Sequence, residues 1–151
     1  MTQTINISYE HYTLDTLPTA DSELVKAAFE ATTQAYAPFS GFKVGAAARL
    51  RSGEIITAAN CESEVFPSGL CAERSLLYHY ASNYASSPIE AMAIASNPSE
   101  RECYPCGGCR QTLLDVERRQ QSPLRIIMSD GRNASVVDSA ADLLPFSFTL
   151  K

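Results

Sequence analysis

The sequence predicts an α/β fold, a three-layer α/β/α sandwich around one mixed sheet. Three observations carry that expectation. Strand-like and helix-like segments interleave along the chain, which places helices against a common sheet. The stretch "IEAMAIAS" (89–96) is apolar almost throughout and reads as a strand buried inside such a sandwich. No repeat, low-complexity run or long linker divides the 151 residues, a length at which one domain buries a sizeable core.

The elements follow in order. Residues 1–20 form a polar, aromatic-bearing lead, with an edge strand expected within "INISYEHYTL" (5–14), and residues 21–151 form one domain. From Asp21 the pattern turns helical: Leu24, Val25, Ala28, Phe29 and Tyr36 recur at three- and four-residue steps, with Asp21 or Ser22 as the cap and Pro38 as the stop. "KVGAAARL" (43–50) and "EIITAAN" (54–60), joined through "RSG", give a hairpin. A second helix is expected from Ala72 to Asn83, with Leu76, Leu77, Tyr80 and Tyr84 on one side. After the buried strand, a third helix starts near Cys106 or Gly107 and carries Leu113, Leu114 and Val116. "LRIIMS" (124–129) and "ASVVD" (134–138) are two more strands, and a short helix ends at "LLP" (143–145).

Composition narrows the function. Twelve Lys and Arg against 17 Asp and Glu leave a net charge of −5, little material for gripping a polyanion backbone, so no nucleic-acid partner is expected. The first residues show neither a basic n-region nor an apolar h-region, and no stretch has the length of a membrane span, so a cytoplasmic protein without a membrane partner is expected. Five cysteines, three of them in "CYPCGGC" (103–109), then point to metal or thiol chemistry rather than a disulfide framework.

The chemistry concentrates at two helix starts, "CAE" (71–73) and "PCGGC" (105–109). Helix N-termini carry unpaired N–H groups and partial positive charge, which stabilise thiolates. Cys71, Cys106 and Cys109 can therefore gather around a cation, and zinc accepts three thiolates tetrahedrally while leaving a fourth position open. Water at an open position is acidified. Glu73, two residues past a ligand, stays out of the metal shell yet reaches that water and can move its proton.

These motifs, together with "YAPFSGFKVGAAARL" (36–50), "NCE" (60–62), "CAER" (71–74), "PCGGCRQ" (105–111) and "LLPFSF" (143–148), resemble the small cytidine deaminases, whose pattern is [HC]-x-E followed by P-C-x-x-C. The resemblance covers most of the chain from about residue 20 onward. It implies a cytidine deaminase-like fold, one Zn2+ per chain, and hydrolytic deamination of cytidine or deoxycytidine at C4, giving uridine or deoxyuridine and ammonia in pyrimidine salvage. It implies that Glu73 protonates N3 and later the leaving amine. Phe42 resembles the aromatic lining the pyrimidine pocket. Asn60 and Glu62 resemble the pair that holds the ribose hydroxyls, and Ala72 the position whose backbone holds the base. Phe148 resembles the aromatic that closes a neighbouring subunit's pocket, which implies a homo-oligomer, a tetramer or a dimer. Arg74 matches an arginine that hydrogen-bonds a ligating sulfur and draws charge from it, restoring the Lewis acidity that three thiolates would blunt.

Plainer readings stand beside these. Asn60 and Glu62 can be turn residues, Phe42 a core aromatic, Arg74 a solvated charge and Glu73 a helix-start carboxylate. Cys61 is expected as a small core residue pointing away from its neighbours, while Cys103 could close the zinc site as a fourth ligand or begin an iron–sulfur run that Leu113 leaves without its last cysteine. The alternatives are thus a deaminase of a related cytosine nucleoside such as blasticidin S, against which "NCE" and "CAER" argue, and a non-catalytic structural zinc module. His11 and His79 match no ligand of the family. The lead and the spacing from Cys71 to Cys106, with "SNYASSP" (82–88) as the insertion point, are longer than usual in the small type.

Overall fold

The computed structural model describes residues 1–150. Its six strands are β1 (Glu10–Thr13), β2 (Lys43–Leu50), β3 (Ile55–Ala59), β4 (Ile89–Asn97), β5 (Arg125–Ser129) and β6 (Asn133–Val137), and its helices are α1 (Thr19–Ala31), α2 (Ala72–Asn83) and α3 (Gly107–Gln120). The strands form one sheet in the order β1-β6-β5-β4-β2-β3. Only β4 and β5 pair in parallel, and α3 supplies the crossover between them; every other neighbour is antiparallel, so the sheet is mixed.

The layers follow from side-chain alternation. One face of the sheet offers Ala47, Ala91, Ala93, Ala95 and Ile127 to Leu24, Val25 and Ala28 of α1. The opposite face offers Ala46, Ala48, Met92, Ile94 and Ile126 to Leu76 and Leu77 of α2 and Leu113 and Val116 of α3. Small residues under α1 let it lie close. A Cβ built on Gly45 of β2 would stand 1.9 Å from the Ala28 carbonyl oxygen, so only glycine fits there.

The expected α/β/α sandwich is present, with differences at its margins. The edge strand is confined to Glu10–Thr13, paired antiparallel with β6 from Glu10 opposite Val136 to Thr13 opposite Asn133. Helix α1 begins at Thr19 behind Pro18, not at an Asp21 or Ser22 cap. Asp21 lies buried and meets Arg49 at 3.3 Å and Arg125 at 3.1 Å. The helix also stops at Ala31, tightens into a 3₁₀ turn at Thr32–Gln34, and leaves Phe29 and Tyr36 exposed. Tyr36 continued the helical period by coincidence; its backbone instead bridges to Cys61. The short final helix is a 3₁₀ turn at Ala140–Leu143, capped by Ser139 and held by Glu117, whose carboxylate accepts from the Ala140 N–H at 2.7 Å.

Candidate active site

Helices α2 and α3 pack side by side and begin at one edge of their layer. Cys71 is the N-cap of α2 and Cys106 the N-cap of α3, and neither helix start has a side-chain oxygen as cap. The two caps leave helix-start N–H groups facing a region already crowded with sulfur. Cys109, one turn into α3, is fully buried and completes the group.

The Sγ atoms of Cys71, Cys106 and Cys109 lie within 4.8 Å of one another, and Cys106 Sγ stands 3.5 Å from Cys109 Sγ. A tetrahedral ion bonded to sulfur at about 2.3 Å separates its sulfurs by roughly 3.8 Å. The observed spacing and the all-thiol donor set therefore fit one zinc ion per chain. Cys103 is outside the cluster: burial in apolar surroundings pushes its thiol up to about 11. Cys61 is outside it too, and the expectation that it is a core residue is wrong. It is exposed and lines the cavity beside its neighbours, because residues 60–62 leave the regular strand alternation after Ala59.

Arg74 Nη2 donates to Cys71 Sγ at 3.6 Å. Hydrogen bonding from Cys109 and then from Arg74 pulls the Cys71 thiol down to about 5, while Cys109 moves the opposite way because it shares its proton with Cys71. Contact with the Cys71 sulfur in turn raises the already high Arg74 value. The guanidinium Nε is buried and has no hydrogen-bond partner among the described residues.

Glu73 is 4% exposed, and burial followed by the charge on Cys71 raises its carboxyl to about 7. It faces a cavity of about 870 Å³, which Phe42, Asn60, Glu62, Cys71 and Arg74 also line. The Asn60 and Glu62 side chains both turn onto residues 39–44, and the Ser40 and Phe39 N–H groups hold the Glu62 carboxyl below its ordinary value. Ala72 is fully buried in the core between two cavity-lining neighbours. Phe148 is 71% exposed and is not brought to the cavity. Arg118, whose backbone lies about 18 Å along α3 from Cys106, donates from Nη1 to the Phe148 carbonyl oxygen at 3.4 Å.

Three further aromatics line the cavity: Phe39, Phe66 and Tyr104. Phe39 and Tyr104 sit in stretches the sequence had already marked, so their neighbourhood was a signal. Phe66 lies in the polar segment between "NCE" and "CAER", where nothing local identifies it.

A family model of the cytidine and deoxycytidylate deaminase zinc-binding region matches residues 18–121, which include all three cysteines of the cluster. A cytidine deaminase of Halalkalibacterium halodurans is 30% identical over 126 residues, 83% of this chain and 92% of that protein. One from Sporosarcina psychrophila is 33% identical over 84% of this chain and 90% of its own length. The crystal structure of cytidine deaminase from Burkholderia pseudomallei superposes with a TM-score of 0.72 at 34% identity, covering 83% of this chain and 97% of that one. That from Mycobacterium tuberculosis gives 0.69 at 32%, covering 85% and 96%. Thiol cluster, buried carboxylate and fold thus agree with the matched sequence, and the chain belongs to the cytidine and deoxycytidylate deaminase family.

Proposed function

We propose that this protein is a zinc-dependent cytidine deaminase, hydrolysing cytidine and deoxycytidine to uridine and deoxyuridine with release of ammonia. The observation that carries the reading is Glu73: a carboxylate buried at the cavity floor, beside the three-thiol cluster and with its pKa raised to about 7. A group titrating there can both accept and deliver a proton at neutral pH.

Cys71, Cys106 and Cys109 hold the zinc, which supplies the Lewis acidity that makes water a usable nucleophile. Glu73 takes the proton from the attacking water and delivers it to N3 of the cytosine, so that C4 becomes tetrahedral. It then takes the proton of the new C4 hydroxyl and passes it to the amine, so that the C4–N bond breaks, the C4 carbonyl forms and ammonia leaves. Arg74 moderates the charge that Cys71 donates. Phe42 and the Ala72 backbone hold the base, and Glu62 with Asn60 faces the sugar. Residues 21–151 form the catalytic domain, with residues 1–20 as its lead.

The protein acts in pyrimidine salvage, in the cytoplasm, as a homo-oligomer of the tetramer type. Among the described residues no helix is long and apolar enough to cross a membrane. Support for the oligomer comes from Phe148: it does not line its own cavity and Arg118 donates to its carbonyl, which leaves the exposed ring free to reach a neighbour's. The test is cytidine turnover, followed as loss of cytosine absorbance, on zinc-loaded wild type and Glu73→Gln. The expected result is a loss of kcat on the order of 10²–10⁴-fold or more with about one zinc per chain retained in both. Equal turnover in the two proteins would overturn the reading.

A further inference from the structure

We infer that Asn60 and Glu62 serve as positioning residues, their side chains sewing the strap of residues 37–42 to the sheet and thereby setting the wall that Phe42 presents to the pyrimidine. The inference rests on the reading of the cavity as a nucleoside site and assigns a new task to two of its residues.

The regular β2–β3 ladder ends at the pair Gly45–Ala59. One residue further, the Asn60 N–H still donates to the Val44 carbonyl oxygen at 3.1 Å, but the Asn60 carbonyl has turned away to accept from the Tyr36 N–H at 3.0 Å. The Val44 N–H is left facing no main-chain acceptor from β3. The Asn60 side chain takes its place: Oδ1 accepts from the Val44 N–H at 2.7 Å, while Nδ2 donates to the Phe42 carbonyl at 2.9 Å. Both heteroatoms of one amide are therefore engaged by backbone groups on either side of Lys43, and one of those groups belongs to Phe42 itself.

Glu62 repeats the device two residues on. Its N–H donates to the Tyr36 carbonyl at 2.8 Å, and its Oε1 accepts from the N–H groups of Phe39 at 3.0 Å and Ser40 at 3.1 Å. Between Ala37 and Phe42 the strap belongs to no helix or strand. Its own main-chain bond runs from the Gly41 N–H to the Ala37 carbonyl at 3.0 Å, and the Phe42 N–H finds only the Ser40 hydroxyl, also at 3.0 Å. A segment so poor in partners keeps one shape only if side chains supply what the ladder does not. Without the two residues, Phe42 samples many positions, and each ligand must order it again on binding.

The two tasks separate cleanly by ligand. A residue that only grips the sugar affects ligands that carry a sugar. A residue that sets the base wall affects a bare base equally. Glu62 keeps Oε2 uncommitted and so can do both, whereas Asn60 is the purer positioning residue.

The experiment uses zinc-loaded enzyme and two product-like probes that are not turned over, uridine and 1-methyluracil. Binding is followed by NMR titration, and amide hydrogen exchange is measured at Val44, Phe39 and Ser40. Asn60→Ala is expected to weaken both probes by the same factor, about tenfold, and to speed exchange at Val44 by a similar amount. On a Phe42→Ala background it should weaken 1-methyluracil no further. Should alanine unfold the protein, Asn60→Asp keeps the acceptor for Val44, loses only the donor to Phe42, and should lie between wild type and alanine in both readouts. Unchanged exchange at Val44 overturns the inference, as does a loss confined to uridine. A wild type that binds neither probe overturns the nucleoside reading itself, and the exchange result separates that failure from loss of the strap.

Discussion

Glu73 illustrates how one buried side chain couples chemistry to stability. In the fold its carboxyl is raised to about 7 from an ordinary 4.5, chiefly by burial. An unfolded chain ionises Glu73 near its ordinary value, so the protonated folded form has its full advantage below pH 4.5 and loses it as pH climbs through 7. In zinc-free protein, wild type and Glu73→Gln should therefore be comparably stable at pH 4, and wild type should be the weaker by about 3 kcal/mol at pH 8. Urea denaturation of both across that range checks it; parallel curves would remove the raised carboxyl from consideration. Arg74→Gln should reduce kcat about 10–100-fold with zinc retained, since it leaves the Cys71 sulfur undamped; a turnover series with metal analysis on the same samples reads it. The cysteines and Glu73 were legible in the sequence because spacing along two helix starts fixes their meeting. The partners of Asn60 and Glu62 were not, because a side chain that bonds backbone sixteen or more residues earlier is placed by how the strap folds back, as the 2.7 Å bond to Val44 and the 3.0 Å bond to Phe39 show. Cys61 misled for the same reason: strand alternation ended two residues before it, at Ala59.

Among elements, the seat of α1 on the sheet is the most exacting contact. The helix backbone at Ala28 approaches Gly45 so closely that a methyl group has no room, and what it would meet is a carbonyl oxygen that cannot swing aside. Gly45→Ala should destabilise by about 3 kcal/mol through overpacking, seen as a lowered urea midpoint with an unchanged slope. At the same helix's start, Asp21 ties α1 to β2 and β5 through Arg49 and Arg125. The sequence showed Asp21 only as a capping type of residue, because its two cationic partners come from strands 28 and 104 residues away. It also overextended α1 to Pro38, since periodicity cannot tell a helical tyrosine from one that happens to fall in phase. The strands and the other two helices were legible to within a few residues, because their apolar runs are bounded by Gly, Pro, Ser and Asn.

For the molecule as a whole, metal, fold and assembly are linked. Two of the three sulfurs cap helices whose buried faces fill one side of the sheet. Ion binding thus anchors the start of that layer, and at free zinc about 1,000-fold above its dissociation constant it adds about 4 kcal/mol. Stripping zinc with a chelator should lower the melting temperature, and returning it should restore both stability and turnover. Phe148→Ala should keep zinc and the subunit fold yet lower kcat/KM. Mixing it with Glu73→Gln protein should recover part of the activity if the aromatic acts across subunits, since hybrid assemblies then contain complete sites; no recovery would return Phe148 to its own chain. The edge of the sheet adds a matter of timing. Thr13 of β1 faces Asn133 of β6, so among the described residues the strand made first pairs with the strand made last. At roughly 5–20 residues per second, β1 waits about 6–24 s for its neighbour while α1, β2 and β3 can already assemble. Truncations of the lead are therefore expected to spare nascent folding and to act on the finished protein, as an unsealed sheet margin open to pairing with other chains.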